Sequence, residues 1–474
     1  MVKKIDSNLL YNALYQLLLI LVPIITTPFL ARVLGPTALG INGYVGAIAA
    51  FVGNFMLLGL NQFGVRTIAR TNKDKLSESF RDLWGTQLFF GFFLVVLYII
   101  LSSFLLPYKF FLILELPFLI GYGLDISWFY IGISNVKKVV LRNAIVKICS
   151  LVFIFIFIRG RGDLWKYVLI NSLGMLLANF VFLIDIHKTG VYLKKLNWKK
   201  FGFRFFKPLL FLSIPLVAAQ LYTNLDSALV GTLAGARQLA FYDQSQKIAR
   251  ILLAMLTSTS TVLMPKMANL DKGNNSDKLM KMFYFSLNIT LFVALIFCLL
   301  MMINTQVFVP FFFGNSFVVM RKNMYLVSLI VVFISYGSVF SLQFALAKGL
   351  YRIYTIPYIV GAIFSLTFNA LLDGKFGSLG GTWILVITEF IVCFLRIVLV
   401  NQYVSFTNII HDEWKQVFSF IVVLTLMHYF NFNVYPTVVA MLLNSLVGIG
   451  LFLLILLVVK DKIVSRGINL ILKK

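Results

Sequence analysis

The sequence predicts an all-α polytopic membrane protein of about 14 transmembrane helices, on three observations. Of its 474 residues, 60% are hydrophobic and only 12% are charged. A water-soluble chain of that length cannot bury so much apolar surface. The apolar residues also fall in runs long enough to cross about 30 Å of hydrocarbon. Finally, the polar connections alternate between basic and nearly uncharged, as loops do on the two sides of a membrane.

The runs begin near Leu9, Ala38, Leu83, Phe110, Val140, Leu164, Leu209, Ala240, Met282, Met324, Tyr354, Thr382, Gln416 and Thr437. The first continues too far for a cleaved signal peptide and is expected to stay as a span. Cys149, Cys298 and Cys393 sit far apart inside apolar runs. Neither a disulfide framework nor a metal site is expected, and no cofactor.

The formal charge of +25 is assigned to loops and not to nucleic acid. With the N-terminal MVKKIDSN in the cytoplasm, ARTNKDKLSESFRD, SNVKKVVLRN, HKTGVYLKKLNWKKFGFRFFK, PKMANLDKGNNSDKLMK and KGLYRI all fall inside. The C-terminal KDKIVSRGINLILKK joins them. Both termini are therefore cytoplasmic, since the reverse orientation would invert the bias.

The longest connection, from Asp185 to Pro208, is basic and follows six spans. It reads as a hinge between two halves. A weak repeat supports this, because Leu34–Tyr44 and Leu233–Asp243 align with Gly35 on Gly235, Leu39 on Leu239 and Gly40 on Ala240. The expected organisation is an N-lobe at 1–186 and a hinge at 187–207. A C-lobe follows at 208–400, then two further helices and a tail at 401–474. Pro23, Pro28 and Pro215 lie inside spans, as hinges for bending or as static packed kinks.

Four stretches carry a family resemblance: ITTPFLARVLGPTALGINGY (25–44), LGLNQFGVRTIART (58–71), GLDISWFYIGISNVKKVVLRNAIVK (123–147) and LYTNLDSALVGTLAGARQLAFYDQSQKIAR (221–250). Together they resemble the Wzx-type polysaccharide flippases of the MATE-like MOP exporter superfamily. Two places depart from the pattern. After WFYIG many relatives carry a Glu and an aromatic residue, where this chain has Ile133-Ser134-Asn135. The second hairpin has Ala240-Phe241-Tyr242, with Ala where Gly is usual.

The resemblance implies a flippase in the plasma (inner) membrane of a bacterium. Its substrate would be an oligosaccharide repeat unit on a polyprenyl diphosphate, moved outward by alternating access for capsule, O-antigen or similar polysaccharide. Membrane lipids, a coupling H+ or Na+ and a polysaccharide polymerase are the implied partners.

Such a substrate carries anionic phosphates through a low-dielectric layer, so cations within spans are the expected ligands. A Lys or Arg at the midplane costs at least ~2.5–3.5 kcal/mol and is seldom accidental. The candidates are Arg32, Lys147, Lys247 and Arg250, with Lys247 and Arg250 spaced i, i+3 on one helix face. The alternative for Arg32 is a side chain snorkelling to the outer headgroups. Lys147 reads equally as an ion-pair partner of Asp125, and Arg396 lies near the inner end of its span, where snorkelling is expected. Arg66 and Arg70 sit at the cytoplasmic rim, serving topology or first contact with the diphosphate.

Asp226 lies about 27 Å along its helix from Pro208 at ~1.5 Å per residue, in the outer half of the membrane. It reads as an ion-pair partner of Lys247 or Arg250, as a proton or sodium site, or as an acceptor for sugar hydroxyls beside Tyr222, Thr223 and Asn224. Glu389 and Asp125 are further ion-coupling candidates.

Competing functions are weighed by charge. A multidrug antiporter of the same superfamily needs an acidic or aromatic cavity for cations, whereas the intramembrane charges here lean basic. A lipid-linked peptidoglycan precursor flippase is nearer and stays open. A membrane glycosyltransferase or polymerase would be expected to carry acidic or metal-binding motifs in a sizeable outer loop, and no D-x-D or H-E-x-x-H occurs. A pure assembly scaffold would not need cations buried in both lobes.

Overall fold

The structure, a computed structural model, describes residues 7–57, 59–104, 106–192, 205–207, 209, 220, 224–273, 275–404, 406–433 and 436–465. Most of the basic hinge, Pro215, Tyr222, Thr223 and most of the seventh span lie outside the described residues. Among the described residues every regular element is helical. In lipid this is forced, because an α-helix satisfies its backbone hydrogen bonds within its own segment.

The first six spans run as follows. Helix α1 is Ser7–Val33 and α2 is Gly35–Leu57. A short amphipathic α3, Leu60–Arg70, extends the second span, and α4 is Leu76–Phe104. The fourth span is built of three pieces, α5 (Lys109–Leu114), α6 (Leu116–Gly123) and α7 (Ser127–Gly132). Then come α8, Val136–Phe157, and α9, Leu164–Asp185.

After the seventh-span turn α10 (Asp226–Leu233), the order is α11 (Ala236–Lys272), α12 (Ser276–Phe313), α13 (Arg321–Ser338), α14 (Tyr351–Val400), α15 (Phe406–Tyr429) and α16 (Thr437–Val458).

Ten segments among the described residues are long and apolar enough to cross a membrane. That number counts α14 once, although its 50 residues would reach about 75 Å if straight. Gly377, at φ 60° and ψ −145°, breaks α14 into two spans, a backbone that only glycine adopts without strain. With α1 and α15 the described residues supply thirteen spans in the expected succession, and α10 is the described end of the seventh.

The thirteenth span begins at Phe406, ten residues before the expected start at Gln416. Its polar first turns contain Glu413 and Gln416, both buried, so the hydropathy run understates the helix.

The chain divides into two compact units, Met1–Ala240 and Phe241–Lys474. In the first, a cluster around Phe80, Trp84, Trp128 and Phe129 fills the end near α3, α4 and α7. Phe80 stacks on Trp128 with ring centroids 5.9 Å apart. Farther along α4, Phe92, Phe93, Ile100 and Phe104 are exposed, an apolar face suited to acyl chains. In the second unit, α12 is the central post of a larger core, with Phe283 packed on Phe340 and Phe344. Those two partners lie in a π-helical stretch, Val339–Leu346, that continues α13.

The sequence repeat has a structural counterpart. Gly35 and Gly235 both take left-handed backbone, at φ 77° and 88°. Each forms the tight turn that starts the helix after it, α2 and α11, a conformation costly for residues with a Cβ.

Candidate functional site

Each unit carries its own set of polar and charged groups within membrane-spanning helices. In the first unit, Arg32 ends α1 with its side chain exposed. Lys147 is exposed on α8. Arg66 and Arg70, one turn apart on α3, are exposed as well.

Asp226, the first residue of α10, is only 1% exposed. Its helix packs against α2, where the Thr232 hydroxyl meets that of Tyr44 at 3.3 Å. Asn224, two residues before α10, and Asn54 on α2 both donate to the Gln220 side-chain carbonyl. Among the described residues here, Asp226 is buried, and Gln220 and Asn224 are half-buried polar groups.

Asp125 and Lys147 do not form an ion pair. The Asp125 carboxylate accepts from the Ser127 N–H at 2.8 Å and from the Ser127 hydroxyl, which caps α7. The break between α6 and α7 exposes carbonyls that a continuous helix would satisfy, and α4 supplies their donors. The Gln87 amide donates to the carbonyls of Tyr122 (2.8 Å) and Asp125 (3.0 Å), and the Trp84 indole donates to that of Gly123 (3.3 Å). Trp128 in turn donates to the Gln87 side-chain oxygen at 3.1 Å. Irregular backbone survives at membrane depth only with such replacements.

Arg142, which the sequence reading passed over as a loop cation, anchors this region. Its guanidinium donates to Ser127 (3.1 Å), to Asn143 (2.7 Å) and to Asn179, and lies 4.0 Å from the Phe182 ring centroid. Nearby, Lys138 and Lys188 both pair with Asp185, at 2.7 and 2.8 Å. These bonds give Asp125 and Arg142 structural duties at the inner end of the unit.

In the second unit, Lys247 and Arg250 are exposed on the same face of α11, and Arg250 donates to Gln246 at 2.8 Å. Glu389, in the second half of α14, is buried, and the charges acting on it are those of Arg396 and Arg250. Arg396 does not snorkel. It is 4% exposed, with its guanidinium 4.8 Å from the Tyr358 ring centroid. The bare Cα of Gly337 makes room for it, since a Cβ there would lie 2.9 Å from a guanidinium nitrogen. Tyr336 donates to Glu413, a further buried carboxylate.

Asp373 escaped the sequence reading. It is fully buried near the end of the first half of α14, and neither carboxylate oxygen has a hydrogen-bond partner. Asn369 and Ser365, also fully buried, precede it at four-residue intervals on the same helix face. Asn369 donates to Ser365 at 3.0 Å and leaves its own side-chain carbonyl without a donor. The Ser-x3-Asn-x3-Asp spacing was the available signal. The Asp373-Gly374-Lys375 sequence, which reads as a turn, masked it. Among the described residues no group of three or more His, Cys, Asp or Glu is placed to hold a metal ion.

Residues 5–271 match the family described as "Polysaccharide biosynthesis protein", and the chain belongs to that family. Over 410 residues it is 22% identical to the "Putative O-antigen transporter" of Escherichia coli (strain K12), covering 83% of this chain and 96% of that one. A protein of the same name from Shigella dysenteriae is 20% identical over 384 residues, covering 78% and 94%. Among solved structures, the lipid II flippase MurJ in an inward closed conformation superposes with a TM-score of 0.74. The identity is 14%, with 95% of this chain and 97% of that one covered. An inward-facing multidrug resistance MATE family transporter of the MOP superfamily gives 0.62 at 16% identity, covering 84% and 95%. The fold is thus that of the MOP-type transporters along nearly the whole chain.

Proposed function

We propose that this protein is a flippase of the bacterial inner membrane. It moves polyprenyl-diphosphate-linked oligosaccharide repeat units from the cytoplasmic to the outer leaflet for surface polysaccharide synthesis. The observation that carries the reading is the exposure of Lys147, Lys247 and Arg250 on helices that cross the bilayer. Cations at membrane depth are costly, so a hydrated path and an anionic cargo suit them. Within the second unit, Arg250 offers a fork and Lys247 a point charge on one helix face, the donor types that phosphate recognition uses. Arg32 extends this set toward the outer face, and Arg66 and Arg70 supply the cytoplasmic entry.

The buried carboxylates Asp226, Glu389 and Asp373 are the groups we assign to a coupling proton or sodium ion. Asp125 is set apart from them by its cap on α7. The membrane potential assists outward movement by ~2.3 kcal/mol per anionic charge per 100 mV. The product then meets a polymerase on the outer side.

The test is flipping of a fluorescent polyprenyl-diphosphate oligosaccharide in proteoliposomes, with Lys247→Ala and Asp226→Asn beside the wild type. Movement by wild type and its loss in a folded Lys247→Ala variant supports the reading. A wild type that leaves this lipid in place but moves a lipid-linked peptidoglycan precursor overturns it. That second reading is favoured by the superposition on the lipid II flippase.

A further inference from the structure

Helices α8 and α9 run antiparallel, and between them the outer face of the first unit opens into an apolar furrow of about 540 Å³. This is within the ~300–1,000 Å³ usual for small-ligand sites. Its floor is made by small residues. Ser150 and Gly174 bring the two helices close, and a Cβ on Gly174 would lie 3.3 Å from the Ser150 hydroxyl. Phe153, Phe157 and Trp165, all exposed, form its walls. Along α9 the furrow extends from Trp165 to Leu177, about 18 Å at ~1.5 Å per residue. That matches one leaflet, half of a core about 30 Å thick.

The outer end of the furrow is cationic. The segment from Arg159 to Lys166, IRGRGDLWK with its preceding Ile, holds Arg159, Arg161 and Lys166 against a single acid, Asp163. Asp163 is committed to Lys166 at 2.6 Å and to the backbone N–H groups of Arg159 and Gly160. Both arginines are exposed. Arg161 points toward the α1–α2 turn, with its Nε 3.8 Å from where a Cβ on Gly35 would sit, three residues beyond Arg32. Outer loops are normally poor in Lys and Arg, so this concentration calls for an anionic partner at that level. Trp165, with the Lys166 ammonium 5.7 Å from its ring, marks the headgroup boundary.

We infer that the furrow is an outer-leaflet docking site for the polyprenyl diphosphate carrier. Its isoprenoid chain lies between α8 and α9, and its diphosphate lies against Arg159 and Arg161. The inference rests on the flippase reading and adds the place where the flipped lipid is held before release. Phosphatidylglycerol would bring apolar chains too, but only one phosphate to a rim with two exposed guanidinium groups.

The test uses a sugar-free polyprenyl diphosphate with a diazirine on its chain, added to the full-length protein in nanodiscs and photolysed. Labelled peptides are then mapped by mass spectrometry. We expect labelling between residues 145 and 177, about tenfold lower in Arg159→Gln/Arg161→Gln, a loss of two charge-assisted contacts at exposed positions that leaves folding intact. Ser150→Phe, which fills the floor, should lower labelling without touching the rim. Labelling elsewhere only, or labelling unchanged in the arginine variant, overturns the proposal. So does equal competition by a tenfold excess of phosphatidylglycerol, which would make the furrow a general lipid site. Because the probe carries no sugar, labelling of the furrow alongside failed oligosaccharide flipping leaves this docking site standing while the flipping reading falls.

Discussion

Gly40 of α2 lies directly against the backbone of Ala236, so near that a Cβ on residue 40 would sit 1.6 Å from the Ala236 carbonyl oxygen. The two residues belong to the two copies of the internal repeat, so the first hairpin is docked on the beginning of the second by backbone contact. No rotamer change relieves such an overlap, since the obstacle is main chain. Gly40→Ala should therefore cost about 1–3 kcal/mol, the range for an overpacked site. Unfolding of the purified protein by SDS titration measures it. A Gly40→Ala variant as stable as wild type would show that the hairpins do not stay docked.

Gln87 ties the broken fourth span to α4 through three hydrogen bonds, two donated to carbonyls and one received from Trp128. Gln87→Leu keeps the volume and leaves those partners unsatisfied. An orphaned buried group costs about 1–3 kcal/mol, so the sum should reach about 3 kcal/mol or more. The same titration reports it. If Gln87→Leu unfolds with wild type, water must serve those carbonyls instead.

How much of this was legible in the chain depends on what each residue advertises. Fourteen spans were readable because bilayer thickness imposes a length on every apolar run. The pairing of Gly35 with Gly235 was readable because a left-handed turn selects glycine and little else. The start of the thirteenth span was not, since Glu413 and Gln416 point inward to Tyr336 and Asp461, and inward polarity looks like a loop in a hydropathy profile. Arg396 was placed by depth alone, and depth does not reveal that Gly337 clears a seat for it beside Tyr358. Asp125 and Arg142 show the converse, charges whose hydrogen bonds hold a helix break together.

Lys247 and Arg250 offer a graded test of phosphate recognition. Lys247→Arg keeps the charge, whereas Lys247→Ala removes it. If the residue serves as a point charge for a diphosphate, Lys247→Ala should lower the initial flipping rate about tenfold or more, the loss of one charge-assisted contact, and Lys247→Arg should retain most of it. Arg250→Lys should be less well tolerated, because a fork is replaced by a point charge. Quenching of a fluorescent lipid-linked oligosaccharide in proteoliposomes supplies the rates. Equal rates in Lys247→Ala and wild type would remove α11 from the path of the phosphate.

Asp373 is the most informative of the buried carboxylates, because nothing on its neighbours donates to it. A buried, unsolvated carboxylate costs several kcal/mol if ionised and alone, so it must be protonated or hold a cation. Asp373→Asn removes that choice while keeping the shape. The variant should be at least as stable as wild type, yet its flipping should no longer respond to an imposed sodium or proton gradient. Asp373→Ala should lose the response as well and be less stable, since it leaves a cavity beside Asn369. Flipping by Asp373→Asn that still accelerates with the gradient would rule out Asp373 as a coupling site, and the same assay on Asp226→Asn and Glu389→Gln would then test the other two buried carboxylates.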